Sequence, residues 1–242
     1  MQGKVKTIQI KCEGNRWYLI LSCDDVPALP LPETGMAVGI DAGTTSFATT
    51  SDGTHINSPR WARKGREQLE IAQQRLSGKK RGSNNRRGAR ETVASRHRKI
   101  ANQRKDLHYK VARALVADHD VIVVEDLKIE NMVRRAKPVP DPANPGQFPP
   151  NGQAAKSELN RSIHDASWGA LVAILEAKTE EAGRRVVTVD PRHTSDRCEA
   201  CGYATKENRV SQAVFRCVAC GHSSNADDNK RLATSSGPDW PF

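Results

Sequence analysis

The sequence predicts an α/β protein built on a mixed sheet, to which a hairpin of basic helices and a four-cysteine zinc ribbon are added. Three observations support this prediction. Short apolar runs that end in acidic residues alternate with helical segments. The segment 60–117 is helical in pattern and strongly basic. Two C-x2-C pairs lie near the carboxyl end of the chain, and a last helix is expected to follow them.

Composition indicates a globular protein that does not cross a membrane. The chain has 242 residues, of which 37% are hydrophobic, and it lacks the run of about 18 apolar residues that a spanning helix needs. The amino terminus has no apolar signal core, so we expect a cytoplasmic, nucleoid-associated protein. Cys12 and Cys23 lie outside the ribbon, and two free thiols fit a reducing compartment.

Residues 1–32 are predicted to be a β-hairpin followed by a proline-rich linker. Residues 5–26 alternate between apolar and polar, and Gly14-Asn15 provides a turn between the two strands. Since an isolated hairpin is only marginally stable in water, we expect this one to belong to a larger sheet.

The main domain is predicted over residues 33–192. A buried strand runs from Met36 to Asp41, and residues 47–57 extend it as an antiparallel meander. A second apolar strand begins at Val121 and ends in the acids Glu125 and Asp126.

The segment 60–117 is predicted to form a hairpin of two helices that binds nucleic acid. From Arg60 to Lys110 there are 17 lysines and arginines and four acids. The difference, 17 − 4 = 13 positive charges, exceeds the net charge of +10 of the whole chain. So dense a positive charge favours a polyanionic partner that neutralises it and releases counterions. The tip of the hairpin supplies the predicted contacts, namely Lys79, Lys80, Arg81, Arg86 and Arg87.

The second half of the domain is predicted to begin with a mobile linker over residues 135–156, where six of the 13 prolines lie. One amphipathic helix is predicted from Ser162 to Ala182, with Asp165 in its first turn, where a negative charge suits the helix dipole. A strand over residues 185–190 follows. Arg192 lies just after that strand and is a candidate contact to a phosphate.

A zinc ribbon is predicted over residues 193–224. Cys198, Cys201, Cys217 and Cys220 place two thiols on each of two turns, a spacing typical of tetrahedral zinc. Four thiolates leave no open position, so the zinc should be structural. Two disulfides are the less favoured alternative, and neither His193 nor His222 is expected to be a ligand.

Acidic residues at the strand ends predict a second metal site. Asp41 and Glu125 each follow an apolar strand, and ligands bind at such ends in α/β sheets. Converging carboxylates repel each other unless a divalent cation neutralises them, and oxygen ligands suit Mg²⁺ or Mn²⁺. Asp227 is the best third candidate; it lies in the segment 225–242, which is predicted to be a short helix from about Ala226 followed by a tail. Taken singly, each acid could instead be a turn or cap residue.

Several ordered motifs resemble the TnpB (OrfB) family of transposon-encoded, RNA-guided nucleases, which are relatives of the type V CRISPR effectors. They are VGIDAG at 38–43, VVEDL at 123–127, SIHDASWG at 162–169, VDPRHTS at 189–195, CEACGY at 198–203, CVACGH at 217–222 and NAD at 225–227. The resemblance extends from about residue 5 to residue 232.

The resemblance implies a RuvC-like fold of the RNase H type, with catalytic acids at Asp41, Glu125 and Asp227. It implies metal-dependent endonuclease cleavage of DNA, with Mg²⁺ or Mn²⁺, directed by a guide RNA from the transposon end. The basic hairpin would lie beside the guide–target duplex. The family's larger amino-terminal barrel is not matched, and residues 1–26 resemble only its last hairpin, so the expectation is a truncated member.

Two other functions remain open at this point. A truncated chain could bind nucleic acid without cutting it, as an RNA-guided repressor or a decayed relic. Residues 39–46 also resemble the phosphate loop of sugar kinases, but the further nucleotide motifs of those enzymes are not found.

Overall fold

The amino-terminal strands form a hairpin that stands apart from the main sheet. The structure is a computed structural model that describes residues 3–13, 16–142, 144, 146–191, 196–211 and 214–225. Strand β1 (Lys4–Glu13) pairs antiparallel with β2 (Arg16–Asp24) in a sheet of two strands. The hairpin is therefore present as predicted, and its apolar residues are largely exposed, with Trp17 73% accessible.

The central sheet has five strands and is mixed, as predicted. Its strands are β3 (Ala37–Ala42), β4 (Ser46–Thr50), β5 (His55–Asn57), β6 (Val121–Glu125) and β7 (Arg185–Val189). The spatial order is β5-β4-β3-β6-β7. The first three strands form an antiparallel meander, whereas β3, β6 and β7 run parallel, so β3 lies at the junction of the two patterns.

Two long helices connect β5 to β6 and form the predicted basic hairpin. They are α1 (Trp61–Ser77) and α2 (Asn84–Asp118). The turn between them covers residues 78–83, and Ser83 caps α2 by accepting a hydrogen bond from the Arg86 amide at 3.2 Å. Gly88 therefore lies inside α2 and not in the turn.

The single helix predicted from Ser162 to Ala182 is wrong. A short helix, α3 (Ile129–Met132), precedes two separate helices, α4 (Gln153–Ala166) and α5 (Trp168–Ala182). Ser167 breaks the run by adopting a left-handed conformation with φ 56° and ψ 47°. No helix or strand is assigned to the described residues between α3 and α4, so the predicted linker ends where α4 begins at Gln153.

Asp165 lies in the last turn of α4 and not in the first turn of a helix, so that expectation is also corrected. Its carboxylate oxygens accept hydrogen bonds from the Ala62 amide in the first turn of α1, at 3.1 and 3.0 Å. The same carboxylate pairs with Arg104 of α2 at 3.1 Å. Asp165 therefore does stabilise a helix amino terminus, but that of a neighbouring helix.

The main core lies between the sheet and the helices α2 and α5. Val38, Ile40, Ile122 and Val124 project from one face of the sheet and are at most 4% exposed. Trp168, Leu171 and Leu175 of α5 lie in the same core cluster, together with the last turns of α2. The indole of Trp168 also donates a hydrogen bond to the carbonyl of Phe47 at 2.9 Å.

The ribbon forms a separate small unit with strands β8 (Val214–Arg216) and β9 (Ser223–Asn225), which pair antiparallel. Its buried cluster holds only Cys198, Phe215 and Cys217 among the described residues. The helix predicted from residue 226, with Asp227, lies outside the described residues, as do Arg192 and His193. Within the described ranges, none of the helices combines the length and apolarity required to cross a bilayer.

Candidate metal centres and nucleic-acid interface

The sheet brings two of the predicted acids to one edge. Ile40 of β3 pairs with Val124 of β6 in parallel register, and the next residue on each strand is Asp41 and Glu125, respectively. Paired strands lie about 4.8 Å apart, and in-register neighbours of a parallel pair project to the same face. Asp41 and Glu125 are therefore adjacent at the carboxyl ends of β3 and β6.

Both carboxylates are shielded from water to a degree that suits a cation site. Glu125 is only 7% exposed and Asp41 is half-buried. Burying ionised carboxylates side by side is unfavourable unless hydrogen bonds or a cation compensate. Asp126, the neighbouring acid, differs from them, because it is exposed and pairs with Lys128 at 2.6 Å.

The meander adds two residues to this edge that the sequence did not indicate. Thr49 of β4 pairs with Asp41, and on its other side it pairs with His55 of β5. The Thr49 hydroxyl lies 3.2 Å from Nδ1 of His55. Only the register of the meander reveals this row, since neither residue belongs to a motif of its own.

The four cysteines form the second candidate metal centre. Their sulfur atoms all lie within 4.8 Å of one another, and Cys198–Cys220 and Cys201–Cys217 are each separated by 3.6 Å. A tetrahedral site with Zn–S bonds of about 2.3 Å places its sulfurs about 3.8 Å apart. The cluster therefore fits zinc, and it is the one group of three or more such ligands found among the described residues.

The two halves of the cluster have matching backbone geometry. Gly202 donates its amide to the Cys198 carbonyl at 2.8 Å, and Gly221 donates to the Cys217 carbonyl at 2.9 Å. Both glycines have φ of 75°, a value that residues with a Cβ rarely adopt. Each C-x2-C-G sequence thus folds into the same tight turn, which directs its two thiols to one point.

Asn208 joins the two turns, a role that no motif in the sequence indicates. The side chain is fully buried; it donates to the carbonyls of Asp196 and Tyr203 and accepts from the amide of Val218 at 3.0 Å. His222 makes a second link, because its Nε2 lies 2.7 Å from Oε1 of Glu199. That contact gives the His222 side chain a carboxylate partner, and the exclusion of His222 from the zinc ligands stays a prediction.

The thiols lie close enough to shift one another's pKa values, and the shifts differ in direction. Burial raises the pKa of Cys217, but hydrogen bonds from the amides of Cys220 and Ala219 and from the thiols of Cys201 and Cys220 outweigh it and lower this pKa to about 6. Thiolates are the form that binds metal. Burial raises the pKa of Cys198. For Cys201 the lowering effect of a backbone hydrogen bond is outweighed by burial and by hydrogen bonds to the other three thiols, which raise its pKa to about 12. A divalent cation that binds all four sulfurs as thiolates would displace the protons that they otherwise share.

The tip of the basic hairpin is exposed, with one exception. Lys79, Lys80, Arg81 and Arg87 face solvent. Arg86 is half-buried, and its Nη1 donates to the carbonyls of Leu76 and Lys79 at 3.0 and 2.9 Å. Arg86 therefore closes the end of α1, whereas the other four cations are available to a polyanion.

Two family models match the chain. An OrfB family model, described as a probable transposase, matches residues 18–136. A model described as the TNB domain of Cas12f1-like proteins matches residues 168–229, which include the ribbon.

Curated relatives cover nearly the whole chain. It is 37% identical over 227 residues to the "Putative RNA-guided DNA endonuclease InsQ" of Escherichia coli, a match that covers 94% of this chain and 55% of the relative. It is 34% identical to a "Putative RNA-guided DNA endonuclease" of Streptomyces pristinaespiralis, with 89% and 48% covered. The chain thus spans about half the length of these relatives.

Solved structures support the fold assignment. The chain resembles the protein in a cryo-EM structure of a CRISPR-Cas12f ternary complex with a TM-score of 0.52 and 21% identity, over 97% of this chain and 46% of the other. A Cas12f1-sgRNA-target DNA complex gives a TM-score of 0.50 and 18% identity over 94% and 55% of the two chains. At these identities the likeness shows a shared fold.

Proposed function

Since the chain belongs to the TnpB/OrfB family, we propose that it is a divalent-metal-dependent DNA endonuclease directed by an RNA guide. The observation that carries this proposal is the register of β3 and β6, which makes Asp41 and Glu125 neighbours at the carboxyl edge of the sheet. Relatives with about a third of their residues identical are named as RNA-guided DNA endonucleases, which supports both the reaction and the two nucleic-acid partners.

Asp41 and Glu125 would hold Mg²⁺ or Mn²⁺, with Asp227 as the proposed third ligand. When bound, such ions supply an activated water and stabilise the leaving oxygen in phosphodiester hydrolysis. The protein's own contribution is to fix the two carboxylates on adjacent, hydrogen-bonded strands, one of them buried. Rigid placement avoids the cost of gathering two like charges at the moment of reaction.

The ribbon would hold a structural zinc and support the chain that leads to Asp227. Its strand β9 ends at Asn225, two residues before that acid. The exposed cations of the hairpin tip would bind the phosphates of nucleic acid, and Arg192 is proposed as a further phosphate contact.

A non-cleaving nucleic-acid-binding protein is the second candidate. The observation that favours it is the group of four exposed cations at the hairpin tip, which can bind phosphates whether or not the carboxylate edge reacts. The two proposals share the zinc ribbon and the basic hairpin, and they differ only in whether the carboxylate edge cuts DNA.

A cleavage assay with matched variants separates these candidates. The protein is loaded with RNA transcribed from its own transposon end and is given target DNA with Mg²⁺ or Mn²⁺. Asp41→Asn and Glu125→Gln should each lower the cleavage rate by at least about 100-fold, because loss of even an outer partner of a metal ligand costs about 10–100-fold. Asp126→Asn is the control, since that exposed carboxylate pairs with Lys128, and it should cleave at the normal rate.

The same assay can reject the proposal. If the unaltered protein binds nucleic acid but cuts no DNA with either ion, the non-cleaving alternative is correct. If Asp126→Asn is as inactive as Asp41→Asn, the reacting carboxylates have been misassigned.

A further inference from the structure

A groove lined by arginines lies between α1, α2 and α4, apart from the hairpin tip. Its volume is about 760 Å³, within the range of about 300–1,000 Å³ typical of ligand sites. The lining includes five arginines, but only two carboxylates, Glu158 and Asp165. The arginines are Arg60, Arg63, Arg66, Arg104 and Arg161.

The two carboxylates are already engaged, so the groove keeps an excess of positive charge. Asp165 is 9% exposed and accepts from both the Ala62 amide and Arg104. Glu158 is shared between Arg66, at 3.6 Å, and Arg161. Among the described residues, no salt bridge is formed by Arg63, which is exposed on the first turns of α1.

The groove opens next to the carboxylate edge. Thr44, three residues after Asp41, belongs to its lining. The guanidinium of Arg60 donates to the Thr44 carbonyl at 3.3 Å and so joins the start of α1 to the loop that leaves β3. A chain of phosphates lying along the groove would therefore reach the loop that follows Asp41.

We propose that this groove binds the phosphate backbone of the single DNA strand that approaches Asp41 and Glu125, with Arg63 and Arg161 as its principal contacts. The inference rests on the proposed endonuclease function for the identity of the strand. The groove's volume of about 760 Å³ can accept a short stretch of one phosphate backbone. Guanidinium groups suit phosphate oxygens because they donate in a planar fork.

A matched pair of double variants tests the groove. Arg63→Gln with Arg161→Gln removes two cations from it, on α1 and α4. Arg113→Gln with Arg185→Gln removes two exposed cations near the opposite edge of the sheet, where α2 ends and β7 begins. The single variant Arg63→Gln guards against misfolding, because that residue lies exposed on the helix surface.

Binding of the full chain to fluorescent single-stranded DNA is measured as a function of salt. Each lost phosphate contact lowers the slope of log K against log salt by about 0.7 on a single strand. The groove double variant should therefore lower the slope by about 1.4 and Arg63→Gln by about 0.7, whereas the control pair should leave it unchanged. Circular dichroism and zinc content confirm that all variants are folded.

The outcomes distinguish this inference from the proposed function. If the groove and control double variants have equal salt slopes and the protein still cuts DNA, the groove does not bind the strand, but the endonuclease proposal is retained. A lowered slope in a protein that cuts nothing would support the groove and reject the endonuclease. If the groove variants weaken binding only of an RNA of the same sequence, the assignment to a DNA strand is wrong.

Discussion

The ribbon and the α/β domain are stabilised in different ways. Within the described part of the chain, three buried residues form the ribbon's hydrophobic cluster, and two of them are cysteines of the proposed zinc site. The hydrophobic core of the α/β domain has 16 described buried residues, from the sheet and its helices. A cluster of three cannot offset the conformational entropy of ordering its loops, whereas the larger core can.

The two candidate metal sites are also assembled in different ways. The ribbon's ligands lie within 23 consecutive residues and are gathered by two local turns. The two described carboxylates lie 84 positions apart and meet only because β3 pairs with β6. The ribbon should therefore depend on its metal, and the carboxylate edge should depend on packing.

Loss of zinc should have the largest effect on folding stability, and this effect should be confined to the ribbon. Structural zinc contributes about 10–16 kcal/mol in small zinc domains, so Cys217→Ser or strong chelation should unfold this unit. We expect the zinc content to fall from one ion per chain to almost none. The thermal transition of the α/β domain should persist, because its core contains none of the cysteine ligands.

Limited proteolysis read by mass spectrometry locates the effect. Cleavage should appear within the described ribbon residues, 196–211 and 214–225, and not in α2 or α5. Cys12→Ser is the matched control, since Cys12 lies on strand β1, in a different sheet from the ribbon strands, and it should retain the zinc. If chelation also unfolds the central sheet, the stability of the α/β domain depends on the ribbon, and the proposed difference between the two regions is wrong.

Asp165→Ala should have the next largest effect, and only on the α/β domain. It removes the acceptor of the Ala62 amide and leaves Arg104, whose side chain is 24% exposed, without its carboxylate. Hydrogen bonds to charged groups contribute about 1.5–3 kcal/mol, so we expect about 2–3 kcal/mol of destabilisation in urea unfolding. Glu158→Ala removes an exposed carboxylate and should cost at most about 1 kcal/mol. Zinc content should be normal in both variants.

His108→Phe should have a smaller effect that depends on pH. His108 is 1% exposed, stacks on Phe47 at 5.4 Å, and its Nε2 lies 3.0 Å from the carbonyl of Ala166. The substitution keeps the ring and loses the hydrogen bond, which costs about 1–2 kcal/mol.

The sign of the pH effect follows from burial, which lowers the pKa of His108 below its ordinary value of 6.5. The unfolded chain then binds a proton that the folded protein excludes, so the stability of the natural protein should fall as the pH drops below about 6.5. The Phe variant should lose less stability over that interval when both are unfolded in urea at two pH values. Parallel losses would mean that His108 is protonated in the folded state.

Local patterns predicted most of this molecule, and long-range contacts explain what they missed. The cysteine spacing, the apolar strands and the basic hairpin were each sufficient to predict their elements, because each pattern lies within one short segment. The Thr49–His55 pair depends on strand register, and the role of Asn208 depends on how two turns meet. Neither arrangement leaves a periodic trace in the sequence. Asp227 and Arg192 remain predictions.

The break between α4 and α5 is the clearest case of a long-range cause. Serine is tolerated inside helices, so Ser167 gives no local signal to stop. The residues on either side of Ser167 form hydrogen bonds with residues that are distant in the sequence. His108 contacts the Ala166 carbonyl, and the Trp168 indole donates to the Phe47 carbonyl. These contacts set the directions of the two helices and leave Ser167 to adopt φ 56°.

Ser167→Gly should therefore have the smallest effect on the free energy of unfolding, and it should raise that free energy. A left-handed conformation costs a residue with a Cβ about 1–2 kcal/mol, whereas glycine costs about 0.5–1 kcal/mol in the entropy of the unfolded chain. The difference predicts a gain of about 0–1.5 kcal/mol in the free energy of unfolding. Gly183→Ala is the reciprocal control, because Gly183 has φ 68° and a new Cβ would lie 3.2 Å from that of Pro30. The strain on the new Cβ should exceed the unfolded-chain entropy that alanine recovers, so the variant should destabilise the α/β domain by about 1 kcal/mol. A loss of stability in Ser167→Gly would show that the serine side chain holds the two helices apart, and that packing alone does not impose the break.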